Sequence, residues 1–191
     1  TMSRITKFLG GICLLGMIAI LAAPKASALP VSYSFTNGGF TDEVIAPLSG
    51  PETANQYYDF SGASGHPDFG TQSNTGFVWL WEDTNTGNVS LSVIVDHPND
   101  GSGGELQMAL SGLPGTAAVT LSDDKNELKL AGGNWKWLNC CTDGGVIGGL
   151  ENQSWSINLD VLGTAGIRDW YLVTPNTVPT LSATFNPYQK T

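Results

Sequence analysis

The sequence predicts an all-β protein: a single antiparallel β-sandwich or jelly-roll-like domain behind an N-terminal signal helix. Three observations carry this expectation. Apolar residues alternate with polar ones at a period of two, as in Val89-Ser90-Leu91-Ser92-Val93, the spacing of a strand with one buried face. Glycine- and asparagine-rich turn signals separate these runs at short intervals. The composition also suits short strands, with 24 Gly, 10 Pro and only 13% charged residues in 191; a long helical bundle would be richer in Lys, Glu and Arg.

The charge balance excludes further classes. Asp and Glu number 17 against 8 Lys and Arg, a formal net charge of -9, the wrong sign for a nucleic-acid binder that must displace counterions. Disorder is excluded from the other side, because 41% hydrophobic residues including six Trp can bury a core.

From the N-terminus, residues 1–28 read as a signal peptide. Arg4 and Lys7 form the basic start, residues 8–23 the apolar run, and Ala26-Ser27-Ala28 a small-residue cleavage site. The apolar run is shorter than the roughly 20 residues that span a bilayer, and no later segment approaches that length. The expected localisation is therefore secreted, extracellular or periplasmic, with no transmembrane segment in the mature chain. Cleavage removes Arg4, Lys7, Lys25 and Cys13 and no acid, leaving a more acidic chain whose two cysteines are neighbours.

Residues 29–191 are expected to form one domain. The stretch before Leu48 is too short to fold alone. Gly50 to Gly76 reads as a long loop with one embedded strand near the aromatic island Tyr57-Tyr58-Asp59-Phe60. Strands are expected over Phe77–Trp81, Val89–Val95 and Leu106–Leu110, then around Val119 and Leu121, Leu128 and Leu130, Trp155–Leu159 and Leu181–Phe185. Turns are expected at Asn37-Gly38-Gly39, Asn85-Thr86-Gly87-Asn88, Asn99-Asp100-Gly101, Leu113-Pro114-Gly115, Ala131-Gly132-Gly133 and Asp143-Gly144-Gly145. No convincing amphipathic helix follows the signal segment, and no fixed repeat period argues for a β-helix.

Three constellations stand out. Cys140 and Cys141 are each other's partners within the exported chain, and in an oxidising compartment a vicinal disulfide is favoured over free thiols or bonding to another chain or a metal. Such a bridge closes a small ring between residues far closer than the usual 4.4–6.8 Å or so between bridged Cα atoms. It would clamp a loop, offer a hard apolar surface, or act as a redox switch. Asp96, Asn99, Asp100 and Glu105, with Asp123, Asp124 and Asp143 in later loops, are the oxygen ligands a calcium ion would take. Their spacing is not that of an EF-hand, and an acidic hairpin without metal is the simpler reading. Phe77, Trp79 and Trp81 share one face of a strand; exposed, they would form a platform for stacking sugar rings, and buried, they are core. Trp135 and Trp137 form a second such pair.

Catalytic residues are not legible. His66 and His97 each precede a proline, and Gly62-Ala63-Ser64-Gly65-His66 lacks the final glycine of a nucleophile elbow. No acid pair is singled out by spacing for glycoside hydrolysis.

The blocks Phe77-Val78-Trp79-Leu80-Trp81-Glu82-Asp83, Pro98-Asn99-Asp100-Gly101-Ser102-Gly103-Gly104, Ser122-Asp123-Asp124 and Cys140-Cys141-Thr142-Asp143-Gly144-Gly145 resemble those of bacterial exported proteins of the PEP-CTERM-associated type. The resemblance spans Phe77 to Tyr171, and its distinctive part is the Cys-Cys-Thr-Asp-Gly block. After Phe185 the chain departs from them, with no Pro-Glu-Pro, apolar tail or basic cluster. The resemblance implies a β-rich surface or matrix protein and assigns no activity to particular residues. The expected function is thus a non-enzymatic exported β-sandwich that binds or adheres, with extracellular polysaccharide or cell-surface components as partners. The alternative is a carbohydrate-binding module or a carbohydrate-active enzyme.

Overall fold

The computed structural model describes residues 33–37, 40–150 and 155–175; the expected signal peptide and the alternation over Leu181–Phe185 lie outside them. The strands are β1 (Tyr33–Asn37), β2 (Phe40–Ile45), β3 (Leu48–Gly50), β4 (Thr75–Asp83), β5 (Asn88–Val95), β6 (Gly104–Ser111), β7 (Ala118–Ser122), β8 (Leu128–Lys129), β9 (Gly132–Trp137), β10 (Asp143–Gly148), β11 (Asn158–Ala165) and β12 (Asp169–Val173), with one short helix, α1 (Ala54–Tyr58). No helix among the described residues is long and apolar enough to cross a membrane.

The protein is an all-β sandwich. A six-stranded sheet runs β12-β4-β5-β10-β7, with β3 also on β4, and a four-stranded sheet runs β11-β6-β9-β8. Most pairs are antiparallel, as the short hairpin connections require. Two are not: β12 and β3 both run parallel to β4, one along Thr75–Trp79 and the other along Trp81–Asp83. A separate antiparallel pair, β1–β2, sets Asn37 opposite Phe40; Gly38 and Gly39 of the expected turn lie outside the described residues.

The six-stranded sheet is buried on both faces, and this explains the runs that do not alternate. Toward the four-stranded sheet it presents Leu80, Leu91, Val93, Val95 and Ile147, which pack with Leu106, Met108, Leu110, Trp135 and Trp137. Its other face carries Phe77, Trp79, Trp81, Ile94 and Val146, covered by Ala54, Tyr57, Tyr58 and Phe69. The segment read as a loop with an embedded strand is therefore a lid-like layer containing α1 instead. Its helix is fixed by a capping box: the Gln56 N–H donates to Thr53 Oγ1 at 3.3 Å, and the Thr53 N–H donates to Gln56 Oε1 at 2.9 Å. Five residues are too few for an amphipathic period to register, and Tyr57 and Tyr58 are held by stacking rather than by helix propensity.

β10 departs from expectation in a second way. Asp143-Gly144-Gly145 is the buried start of a central strand, not a turn. The glycines serve close approach: a Cβ on Gly144 would meet Tyr58 Oη at 2.7 Å from one side, and a Cβ on Gly145 would meet Leu128 Cδ2 at 2.7 Å on the other. Gly132 and Gly133 likewise lie within β9 rather than in a turn. By contrast the β4–β5 turn forms where expected, with Asp83 accepting from the Asn85 N–H and the Thr86 hydroxyl, each at 2.8 Å, an Asx turn closed by Gly87 at φ 74°.

Candidate functional site

Strand register brings three loops to one end of the sandwich. Asp143, the first residue of β10, pairs with Val95, the last of β5, and Gly145 pairs with Ser122, the last of β7. Gly104 at the start of β6 pairs with Trp137 at the end of β9. The β5–β6 loop (96–103), the β7–β8 turn (123–127) and the β9–β10 loop (138–142) therefore leave the strands on the same side.

The β9–β10 loop carries the vicinal disulfide. Cys140 and Cys141 are bridged, with Cα atoms 3.7 Å apart. The Cys141 N–H donates to the Leu138 carbonyl at 3.1 Å, so residues 138–141 form a tight turn. Cys140 is exposed, and Leu138 beside it is 72% exposed. The loop is anchored at its inner end by Thr142, which is buried: its N–H donates to Ser64 Oγ at 3.2 Å and its hydroxyl accepts from the Gly65 N–H at 2.9 Å. Ser64 thus serves as an anchor rather than a nucleophile. An apolar knuckle projects from a fixed base.

The acidic residues divide into two clusters. In the β5–β6 loop, Asp96 is fully buried and adopts φ 71°, a left-handed conformation that Asp tolerates better than most residues. Its Oδ1 accepts from the Asn74 N–H at 2.7 Å, and its Oδ2 lies 2.8 Å from Ser102 Oγ. Asp100 accepts from the Ser102 N–H at 2.7 Å, and its two oxygens lie 2.7 and 2.8 Å from the same hydroxyl. Burial pushes the Asp100 carboxyl up, but the Ser73 and Ser102 hydroxyls, the Ser102 N–H and Asp96 outweigh it, holding the group below its ordinary range.

The second cluster joins the β7–β8 turn to β10 and α1. The buried Tyr58 hydroxyl donates to Asp123 Oδ2 at 2.8 Å, while its ring stacks on Trp79 at 6.0 Å between centroids. Burial raises the Tyr58 hydroxyl well above its ordinary value, and Asp123 and Asp143 add to the effect. Asp143 is 2% exposed. Its Oδ1 accepts from the Gly144 N–H at 2.8 Å, and its carboxyl faces Glu127 within hydrogen-bonding reach. Asp123 Oδ1, Glu127 Oε2 and Asp143 Oδ2 are all buried without a hydrogen-bond partner. Burial raises Asp123 to about 7, the Tyr58 hydrogen bond opposing and the Asp124 charge assisting. Burial raises Asp143 to about 9, reinforced by contact with Glu127 and by the charges of Glu127 and Asp123, with the Gly144 N–H opposing.

The candidate residues fall in separate places. The seven residues offered as calcium ligands do not assemble into one set. Asp96 and Asp100 meet at Ser102, whereas Asp143 faces Glu127 and Asp123 is held by Tyr58. Asn99 and Asp124 are exposed, and Glu105 pairs with Lys136 at 3.8 Å on the four-stranded sheet. Among the described residues, no group of three or more His, Cys, Asp or Glu side chains is arranged to hold a metal. Of the two readings of the aromatic row, the structure has the buried one. Phe77 and Trp79 are fully buried and Trp81 is 3% exposed, because Tyr57 stacks on Trp81 at 3.9 Å and Phe69 packs on Phe77 and Trp79. Trp135 and Trp137 are core as well. Glu127 and Tyr58 are not singled out as site residues by the sequence, since nothing in their local pattern marks the fold-dependent approach of Glu127 to Asp143 and of Tyr58 to Asp123.

No protein-family model, curated protein or solved structure matches the chain.

Proposed function

We propose that the protein is an exported, non-enzymatic β-sandwich that acts at the cell surface or in the extracellular matrix by binding, with the β9–β10 loop as its contact surface. The observation that supports this reading most is the bridged knuckle Cys140–Cys141 beside exposed Leu138. A disulfide suits an oxidising compartment, and a rigid apolar projection loses little conformational freedom when it meets a partner. Thr142 fixes that projection to the Ser61–His66 turn through the two hydrogen bonds with the buried Ser64 and Gly65. The partners in this reading are extracellular polysaccharide or other cell-surface components. The sugar-platform version has no support from Phe77, Trp79 and Trp81, whose faces are occupied by other rings.

The test compares wild type with Leu138→Asp for adsorption to bacterial cell-envelope material and to an array of extracellular polysaccharides. Leu138→Asp is expected to weaken binding about tenfold at unchanged melting temperature, since an exposed apolar contact of this size is worth roughly 1–2 kcal/mol. Equal binding by the two proteins, or binding by neither, overturns the reading.

A further inference from the structure

The three unpartnered oxygens at the β7–β8 turn point to a proton. Asp143 and Glu127 face one another in an interior where both lack another partner for Oδ2 and Oε2. An ionised carboxylate is an acceptor only, so two of them in contact repel, whereas one proton between them makes a short, strong hydrogen bond. Among the described residues no cation acts on Asp143. The ionisable groups acting on Asp143 are Glu127 and Asp123 from the turn, with Tyr58 of α1 beyond Asp123. Its neighbour on β5 is the apolar Val95, and Asp96 after it is turned to Asn74 and Ser102. Lys125 in the turn and Lys129 in β8 are both exposed.

We propose that Asp143 and Glu127 hold one proton between them, and that this shared proton fastens the β7–β8 turn to the first residue of β10. The turn's other attachment to β10 is a single backbone bond, from the Asp123 N–H to the Gly144 carbonyl at 3.0 Å. Loss of the proton to a solvent base leaves two buried negative charges in contact beside Asp123. The pair is thus a pH-sensitive latch at the end of the sandwich that also carries the disulfide knuckle. It stands apart from the binding reading and holds whatever the knuckle contacts.

The sign follows from linkage. The unfolded chain releases the Asp143 proton near the ordinary carboxylate value of 3.8, whereas the native chain keeps it to about 9. Across that window the native state binds the extra proton, so stability is greatest at low pH and falls as pH rises. Asp123 adds a second proton up to about 7. Between pH 7.5 and 8.5 the pair's own contribution is one proton, a tenfold rise in the unfolding constant per pH unit.

The experiment measures denaturant unfolding by Trp fluorescence for wild type, Asp143→Asn and Glu127→Gln over pH 5–9. The expected result is that Asp143→Asn loses the tenfold-per-unit component between pH 7.5 and 8.5. Glu127→Gln should weaken it, since its amide can donate to an ionised Asp143 while burial still favours the neutral acid. Identical pH slopes in all three proteins would overturn the proposal. Infrared spectra of native wild type keep the test decisive if the variants do not fold. A protonated-carboxyl band at pH 7.5 that vanishes on unfolding is expected, and its absence overturns the shared proton. Calcium chloride added at pH 7.5 separates a proton from a cation: an unchanged band supports the latch, whereas loss of the band with a rise in melting temperature replaces it with a metal site.

Discussion

Two acidic clusters lie at the same end of this sandwich and behave in opposite ways. Around Ser102, two carboxylates meet in the β5–β6 loop, and donors surround them: the Asn74 and Ser102 N–H groups and the Ser73 and Ser102 hydroxyls. Asp100 is accordingly held below the ordinary carboxylate range. In the second cluster Asp143 faces Glu127 with the Asp123 charge acting on it, and the donors are fewer, the Tyr58 hydroxyl and the Gly144 N–H. Asp123 and Asp143 rise to about 7 and about 9. The residue types are the same. Both burial and donor supply differ: Asp100 is half-buried and hydrogen-bonded, whereas Asp143 is buried with an unpartnered oxygen, and desolvation favours the neutral acid unless hydrogen bonds or charges oppose it.

The comparison is broken most severely by removing the buried carboxylate from the donor-rich cluster. Asp96→Ala leaves the Asn74 N–H without its acceptor and places alanine at φ 71°. The expected loss is about 3 kcal/mol, combining an orphaned donor to a charged group with backbone strain, read as a fall in melting temperature of roughly 10 °C. A loss below about 1 kcal/mol would mean that the donors are not what stabilises this loop. Ser102→Ala is the milder change. It removes the hydroxyl that both carboxylates share and is expected to cost about 1 kcal/mol. Asp100 should titrate closer to the ordinary range, which a carboxyl NMR titration would follow. Its stability contribution, present above the unfolded carboxylate value and lost as pH falls through the folded one, should shrink accordingly.

Much of the scaffold could be read from residue order, and the reasons for the misses are specific. Alternation at Leu106, Met108 and Leu110 marks β6 because that strand has one wet face and one dry face. Val89–Val95 keeps its strand character although the strand is buried on both faces, since β-branched residues suit a central strand. Asp143-Gly144-Gly145 reads as a turn because glycine usually marks one. Here glycine makes room for Tyr58 and Leu128 on opposite faces of β10, partners that are far away in sequence or follow a different turn. Phe77, Trp79 and Trp81 are legible as a row, but nothing local tells whether that row is covered. The cover is α1 and Phe69, and their packing depends on stacking with that row. The disulfide is legible from adjacency together with the expected oxidising compartment. The Asp143–Glu127 contact is not, because it is made across two hairpins.

The most direct test of the account is a carbon-13 NMR titration of the aspartate carboxyls in the folded protein. The account predicts that Asp143 titrates near 9 while Asp100, at the same end of the sandwich, titrates below the ordinary carboxylate range. At pH 7.5 one would then be protonated and the other ionised. If Asp143 instead titrates in the ordinary range together with Asp100, the claim that burial and donor supply together separate the two clusters is contradicted.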